Sequence, residues 1–136
     1  GILIRRAYPF EITRLSAFVE AHFGVNWADE ISVGYSRQPI SLFVAIDESD
    51  EKKQIVGFAA YECTSRDYFG PTGVAESHRK RGIGKALLLA ALHGLRELGY
   101  AYAIIGGAGP VAYYAKNAGA VLIEESEPGL YRDLLD

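Results

Sequence analysis

Between positions 83 and 98 apolar residues return at intervals of three and four, at Ile83, Leu87, Leu88, Ala91, Leu92, Leu95 and Leu98. That spacing puts them all along one side of an α-helix. Gly99 closes the stripe, as glycine does where a helix ends in a left-handed turn. A stripe this continuous must be covered, and strand-like runs flank it at residues 68–76 and 100–105. Strand, helix and strand in that order predict a crossover, and so a sheet with helices packed on it.

The rest of the chain is read against that crossover. Residues 2–6 form a first strand, and Pro9 opens a helix carrying Phe10, Ile12, Leu15, Phe18, Val19 and Phe23 up to Gly24. Asn26 caps a short second helix through Trp27, Ile31 and Tyr35 before Pro39 breaks it. Residues 41–46 and 55–63 read as strands joined by an acidic turn from Asp47, the second apolar at both parities as in a central strand covered on two faces. Gly70, Pro71 and Gly73 interrupt the strand at 68–76, which predicts a bulge or a close approach to the backbone. Beyond residue 105 come a helix at 110–118 ended by Gly119, a strand at 121–125 and a last strand at 130–134. The order is β-α-α-β-β-β-α-β-α-β-β, an α/β chain with a mixed sheet. Its 136 residues, 49% of them hydrophobic, suffice for one core and so for a single domain over 1–136.

Composition narrows the partners. A net charge of -3 with 23% charged residues gives no overall pull towards nucleic acid or an anionic membrane, so an anion site has to be a local basic patch. No apolar run reaches the roughly 18 to 20 residues of a membrane span. Cys63 is the one cysteine, flanked by apolar strand residues, and the expectation is a buried thiol in a reducing, cytoplasmic setting. His22, His78 and His93 show no metal-ligand spacing, and no metal is expected. Methionine is absent and the chain opens at Gly1 inside a strand; a trimmed start or a neighbouring domain in the same chain is expected, and a homodimer is the other arrangement considered.

The patch is Ser77-His78-Arg79-Lys80-Arg81-Gly82-Ile83-Gly84-Lys85, at the start of the long helix. Unpaired N–H groups and the positive end of the helix dipole favour an anion there, and the two glycines let it approach. Lys85 is followed by Ala86, which leaves no hydroxyl to hold magnesium as a nucleotide P-loop does. The anion is therefore not expected to be a metal-bound triphosphate.

Arg79-x-x-Gly82-x-Gly84, with the strand at Gly73-Val74-Ala75, the apolar helix and Tyr113-Tyr114 to Gly119-Ala120, resembles the GNAT superfamily of acyl-CoA-dependent N-acetyltransferases. The resemblance implies a mostly antiparallel sheet with a central splayed strand pair, flanked by about four helices. It implies acetyl-CoA as acyl-donor co-substrate, its pyrophosphate cradled by Arg79, Lys80, Arg81, Gly82, Ile83, Gly84 and Lys85. Thr72, Gly73, Val74 and Ala75 would lend backbone hydrogen bonds to pantetheine, with the Val74 or Ala75 amide beside the thioester carbonyl. The acceptor would be the primary amine of a small molecule, amino acid or peptide.

The same resemblance makes Tyr114 the general acid, a phenol able to protonate a departing thiolate within hydrogen-bond reach. Adjacent tyrosines do not face the same way on a helix, so one of Tyr113 and Tyr114 packs while the other reacts. Glu62 is the first choice for general base, with Asp67 and Tyr68 as alternatives, or a water chain in their place. Phe23, Trp27, Tyr35 and the turn at 69–71 are the residues from which an acceptor wall would be built.

The chain departs from the family pattern in two places. Gly106-Gly107-Ala108-Gly109-Pro110 stands where many members carry an asparagine, and Glu76 stands where proline is common. Gly107-Ala108-Gly109-Pro110-Val111-Ala112 imitates a dinucleotide fingerprint, but too little chain follows to complete such a fold. The rival to an enzyme is an acyl-CoA-binding sensor or scaffold module.

Overall fold

The computed structural model describes residues 1–135. By packing the chain divides into two compact units, Gly1–Ile104 and a second from Ile105 onwards.

The first unit holds the sheet. Strands β1 (Ile2–Arg6), β2 (Leu42–Asp47), β3 (Gln54–Tyr61) and β4 (Tyr68–Val74) run antiparallel in sequence order. β5 (Ile104–Ile105) follows β4 as the one parallel neighbour, and the Ile104 N–H donates to the Asp67 carbonyl at 2.9 Å. β3 is buried from Val56 to Tyr61, the two-faced burial that its unbroken apolar run predicts. Alternation along it separates two layers. Phe58 and Ala60 join Leu42, Val44, Leu15, Val19 and Ile31 on the side of α1 (Ile12–Phe23) and α2 (Val25–Ser32). Gly57 and Tyr61 face α3 (Ile83–Glu97), meeting Leu87 and Gly94.

Local chemistry explains the boundaries. A 3-10 turn at Pro9–Glu11 precedes α1, its Glu11 carboxylate accepting from the Tyr8 N–H at 2.8 Å and pairing with Arg5. Gly24, at φ 102, ends α1 and is also the N-cap of α2, so Asn26 lies inside α2 and does not cap it. The packing of α3 on β3 depends on Gly94, since a Cβ there would stand 2.6 Å from Cζ of the fully buried Tyr61.

The bulge falls where the glycines and proline place it. Ala59 pairs with Thr72 and Tyr61 with Phe69, so two steps along β3 correspond to three along β4, and Gly70-Pro71 carries the extra residue. Gly70 sits at φ 107, a region open to glycine and costly for other residues.

The second unit contains α4 (Val111–Ala118), closed by Gly119 in the left-handed conformation, and a 3-10 turn at Gly129–Tyr131. Three expectations differ here and just before it. The strand expected at 100–105 is reduced to Ile104–Ile105, and Tyr102 is 72% exposed. Residues 121–125 and 130–134 join no strand ladder among the described residues. Apolar content gives strand propensity, but a strand exists only where a partner satisfies its backbone. Val121, Leu122 and Ile123 are all exposed.

Candidate active site

The basic loop begins at a 3-10 turn, Glu76–His78, and runs exposed through Arg79, Lys80 and Arg81 to Gly82, the N-cap of α3 at φ 80. Ile83 is buried and anchors the helix start, whereas Gly84 is half-buried and Lys85 exposed. The first bond of the helix is from the Ala86 N–H to the Gly82 carbonyl at 3.1 Å, and no side chain caps the end. The N–H groups of Ile83, Gly84 and Lys85 therefore precede any intrahelical partner. A Cβ on Gly82 would meet nothing within 4 Å among the described residues. A helix dipole contributes only about 0.3–1 kcal/mol to an exposed anion. Amide hydrogen bonds and the four cations, Arg79, Lys80, Arg81 and Lys85, have to supply most of any phosphate affinity.

Two contacts fix the loop to the sheet. Arg79 Nε donates to the Val74 carbonyl at 3.2 Å. His78 Nε2 lies 2.7 Å from Asp47 Oδ2, and its Nδ1 lies 2.7 Å from Ser77 Oγ. The Asp47 carboxylate also accepts from the Ser49 N–H at 2.8 Å, and the hydrogen bonds from Ser49 and His78 hold its pKa well below the ordinary carboxylate range. His78 and Asp47 are 31 residues apart, and no sequence signal links them.

β4 supplies the adjoining surface. Ala75 donates to the Val56 carbonyl at 2.8 Å and its own carbonyl accepts from His78 N–H at 2.9 Å. Because hydrogen-bonded and non-hydrogen-bonded pairs alternate in an antiparallel ladder, the Gly57–Val74 pair is non-hydrogen-bonded, and the Val74 N–H points away from β3. By the same alternation Thr72 turns its N–H outward, while its hydroxyl donates to the Phe58 carbonyl at 2.9 Å. Of Val74 and Ala75, only Val74 keeps an amide for a ligand. Gly73 contributes differently, since a Cβ on it would stand 2.4 Å from Cζ of Phe23. The Phe23 ring is stacked on Trp27 at 5.3 Å and lies 5.6 Å from Phe58.

Glu62 sits at the turn between β3 and β4, at φ 58. Its carboxylate accepts from the Asp67 N–H and from Tyr100 OH at 3.3 and 3.2 Å. Asp67 is 6% exposed, its Oδ1 has no partner among the described residues, and burial followed by the Glu62 charge raises its pKa. Five residues separate Asp67 from Thr72, about 16 Å of extended strand. The Glu62–Asp67 pair thus lies at the opposite end of β4 from Val74. Tyr68, the third basic candidate, is half-buried and donates its N–H to the Ser65 carbonyl at 3.3 Å.

Tyr35 lines up near Arg5 and Glu11, its hydroxyl buried and without a partner among the described residues, and burial pushes its pKa up to about 12. Cys63 is buried beside Ser41 and pushed up to about 11 by burial, the environment of a packing thiol. Among the described residues no group of three or more His, Cys, Asp and Glu side chains could hold a metal, and no helix is long and apolar enough to cross a membrane.

Within the second unit, Tyr113 and Tyr114 stand edge-on, with centroids 5.3 Å apart and planes at 89°. Burial raises the pKa of both phenols, and the neighbouring Tyr113 adds to the shift of Tyr114.

The uncapped helix start after Gly82 and β4 with its bulge lie beside one another, joined by the Arg79–Val74 hydrogen bond. Residues 38–131 match the sequence profile of the acetyltransferase (GNAT) domain, and the chain belongs to the GNAT family. Among solved structures it is similar to a GNAT family acetyltransferase from Brucella melitensis in complex with acetyl-CoA, at 20% identity over 85% of this chain and 80% of that one, with a TM-score of 0.63. An aminoglycoside acetyltransferase, meta-AAC0020, from an uncultured soil metagenomic sample and in complex with trehalose, aligns at 19% identity over 90% and 91% of the two chains, TM-score 0.62. A Pyrococcus horikoshii chain aligns at 23% identity over 71% of this chain, which spans only 35% of its length, TM-score 0.52. Among curated proteins none matches the sequence.

Proposed function

We propose that this domain moves an acetyl group from acetyl-CoA to the primary amine of a small molecule, amino acid or peptide, by direct transfer in a ternary complex. The observation that carries the reading is the uncapped start of α3, where the amides from Ile83 to Lys85 meet four cations beside the outward-facing amides of Thr72 and Val74. The first set suits a pyrophosphate and the second the pantetheine arm and the thioester carbonyl at its end. The acetyl-CoA complex of the Brucella relative and the aminoglycoside activity of the metagenomic one support the donor and the acceptor class.

In the transfer, the amine nitrogen attacks the thioester carbonyl carbon, the C–N bond forms and the C–S bond breaks. The Val74 amide would donate to the carbonyl oxygen as negative charge develops there, worth about 3 kcal/mol when well aimed. Tyr114 would be the donor of the proton that the thiolate takes; a phenol whose pKa is raised above the usual value near 10 is protonated at neutral pH. The ammonium proton leaves towards the coupled carboxylates Glu62 and Asp67. Since that pair stands far along β4, it would act through water.

A second reading, an acyl-CoA sensor without turnover, draws on one observation: both Glu62 oxygens are already engaged by Tyr100. Thermal unfolding with acetyl-CoA against NAD tests the donor, because a ligand at about 100 times its dissociation constant adds roughly 2.7 kcal/mol. CoA release is then followed across small amines, amino acids and peptide N-termini. Stabilisation by acetyl-CoA with release by one amine class supports the enzyme; stabilisation without release by any class leaves the sensor. The domain would work in the cytoplasm, alone, as a homodimer or beside another domain, without a metal.

A further inference from the structure

Phe23 ends α1 with its ring tip directed at the backbone of β4. The space that a side chain at position 73 would use is filled by Cζ, Cε1 and Cε2 of that ring, 2.4, 2.7 and 2.9 Å from the ideal Cβ position. Only glycine fits below it. The ring is also held laterally, by Trp27 at 5.3 Å, Phe58 at 5.6 Å and Phe18 at 6.2 Å between centroids. Phe58 is fully buried, so the support beneath is fixed, whereas Phe23, Trp27 and Phe18 are half-buried, which leaves the ring one side towards the surface.

Gly73 lies between Thr72 and Val74, the two residues of β4 whose N–H groups face outward. A ligand arm hydrogen-bonded to those amides would run along the strand on either side of the residue that the Phe23 ring covers.

We infer that Phe23 is a specificity-determining residue that limits the acyl chain of the donor, admitting acetyl and rejecting chains of four carbons or more. The inference rests on the acyl-CoA reading above and adds to it the acyl length that the site accepts. The ring acts by occupying volume. On this reading a two-carbon acyl group stops short of the ring, whereas a longer chain would have to displace it from its contacts with Phe58, Trp27 and Gly73. One methylene too many in a closed apolar site typically costs about tenfold or more in binding.

Calorimetry of CoA, acetyl-CoA, butyryl-CoA and hexanoyl-CoA against the native chain, Phe23→Leu and Phe23→Ala tests this without turnover. Native protein should bind CoA and acetyl-CoA within about threefold of one another and hexanoyl-CoA about tenfold or more weaker. Phe23→Ala should erase or reverse that penalty, Phe23→Leu should relax it in part, and neither should change the affinity for CoA itself by more than about threefold. The one tryptophan of the chain, Trp27, stacks on Phe23, so its fluorescence should respond to acyl-CoA in the native protein more than to CoA. It also reports whether the variants are folded. A length profile in folded Phe23→Ala or Phe23→Leu that matches the native one overturns the inference while leaving CoA binding intact. Failure of the native chain to bind even CoA overturns both readings together.

Discussion

His78 and Asp47, 31 residues apart, meet at 2.7 Å and tie the turn that opens the phosphate loop to the end of β2. Asp47 is held ionised by the hydrogen bonds from Ser49 and His78. A carboxyl whose folded pKa is depressed stabilises the fold above its unfolded value near 3.9, and that contribution is lost as pH falls below it towards the folded pKa. Asp47→Asn should therefore flatten the acid limb of a stability profile taken by urea unfolding from pH 6 downwards. It should also weaken CoA binding at neutral pH, because the loop loses an anchor; unchanged calorimetric affinity would confine the pair to a structural role.

Gly82, at φ 80, is where the chain turns into α3. A β-branched residue in that conformation costs about 1–2 kcal/mol, and it places carbon where phosphate oxygens are proposed to lie. Gly82→Val should lower the melting temperature by several degrees and reduce CoA affinity by about tenfold or more. Loss of stability with full CoA affinity would move the phosphate site elsewhere.

For Tyr114, truncation to phenylalanine keeps the ring and removes the proton. Tyr114→Phe should lower kcat by about 10²–10⁴ with the dissociation constant for CoA unchanged. A variant with native kcat would assign protonation of the thiolate to solvent.

Gly94 faces the buried Tyr61 ring across the α3–β3 contact. Alanine is the better helix former by about 1 kcal/mol, yet a Cβ 2.6 Å from Tyr61 Cζ cannot be placed without moving that ring or the helix. Overpacking of this kind costs about 1–3 kcal/mol, so Gly94→Ala should be net destabilising in chemical unfolding. A gain in stability would mean that the layer yields more easily than its burial implies.

Tyr35 carries a buried hydroxyl without a partner among the described residues. Removing such a group relieves a desolvation penalty of about 1–3 kcal/mol, and Tyr35→Phe should stabilise the protein by about 1 kcal/mol at pH 7. The raised pKa makes a second contribution, to the pH profile. With its pKa pushed up to about 12 by burial, the ionisation of Tyr35 leaves stability unchanged below about pH 10 and lowers it as pH rises from about 10 to about 12, where the unfolded chain ionises and the folded one does not. The variant should lack that alkaline decline.

Local signals were legible where one residue type forces one conformation. Gly24, Gly82 and Gly119 mark their helix ends, Gly70-Pro71 marks the bulge, and of the stripe from Ile83 to Leu98 five residues, Ile83, Leu87, Leu88, Ala91 and Leu95, are buried, while Leu92 is half-buried and Leu98 exposed. The basic loop was legible for the same reason, being contiguous. Contacts between distant segments were not. Nothing in the sequence pairs His78 with Asp47, places Phe23 over Gly73, or reveals that Ala75 spends its amide on Val56 while Val74 does not. The runs at 121–125 and 130–134 failed in the other direction, because apolar composition carries strand propensity without saying whether a partner strand exists.

The bulge at Gly70-Pro71 puts the two halves of β4 out of phase with each other. On its far side Phe69 keeps step with Tyr61; on its near side Thr72 keeps step with Ala59. Deleting one residue there would restore a regular ladder with Ala59 still opposite Thr72 and Tyr61 still opposite Phe69. What would go is the local bend and extra twist that a bulge gives its strand: position 73 would keep its place in the register and position 74 its outward amide, but the half of β4 that carries them would leave the sheet at a different angle. The direction of this strand is thus encoded in its length as much as in its residues.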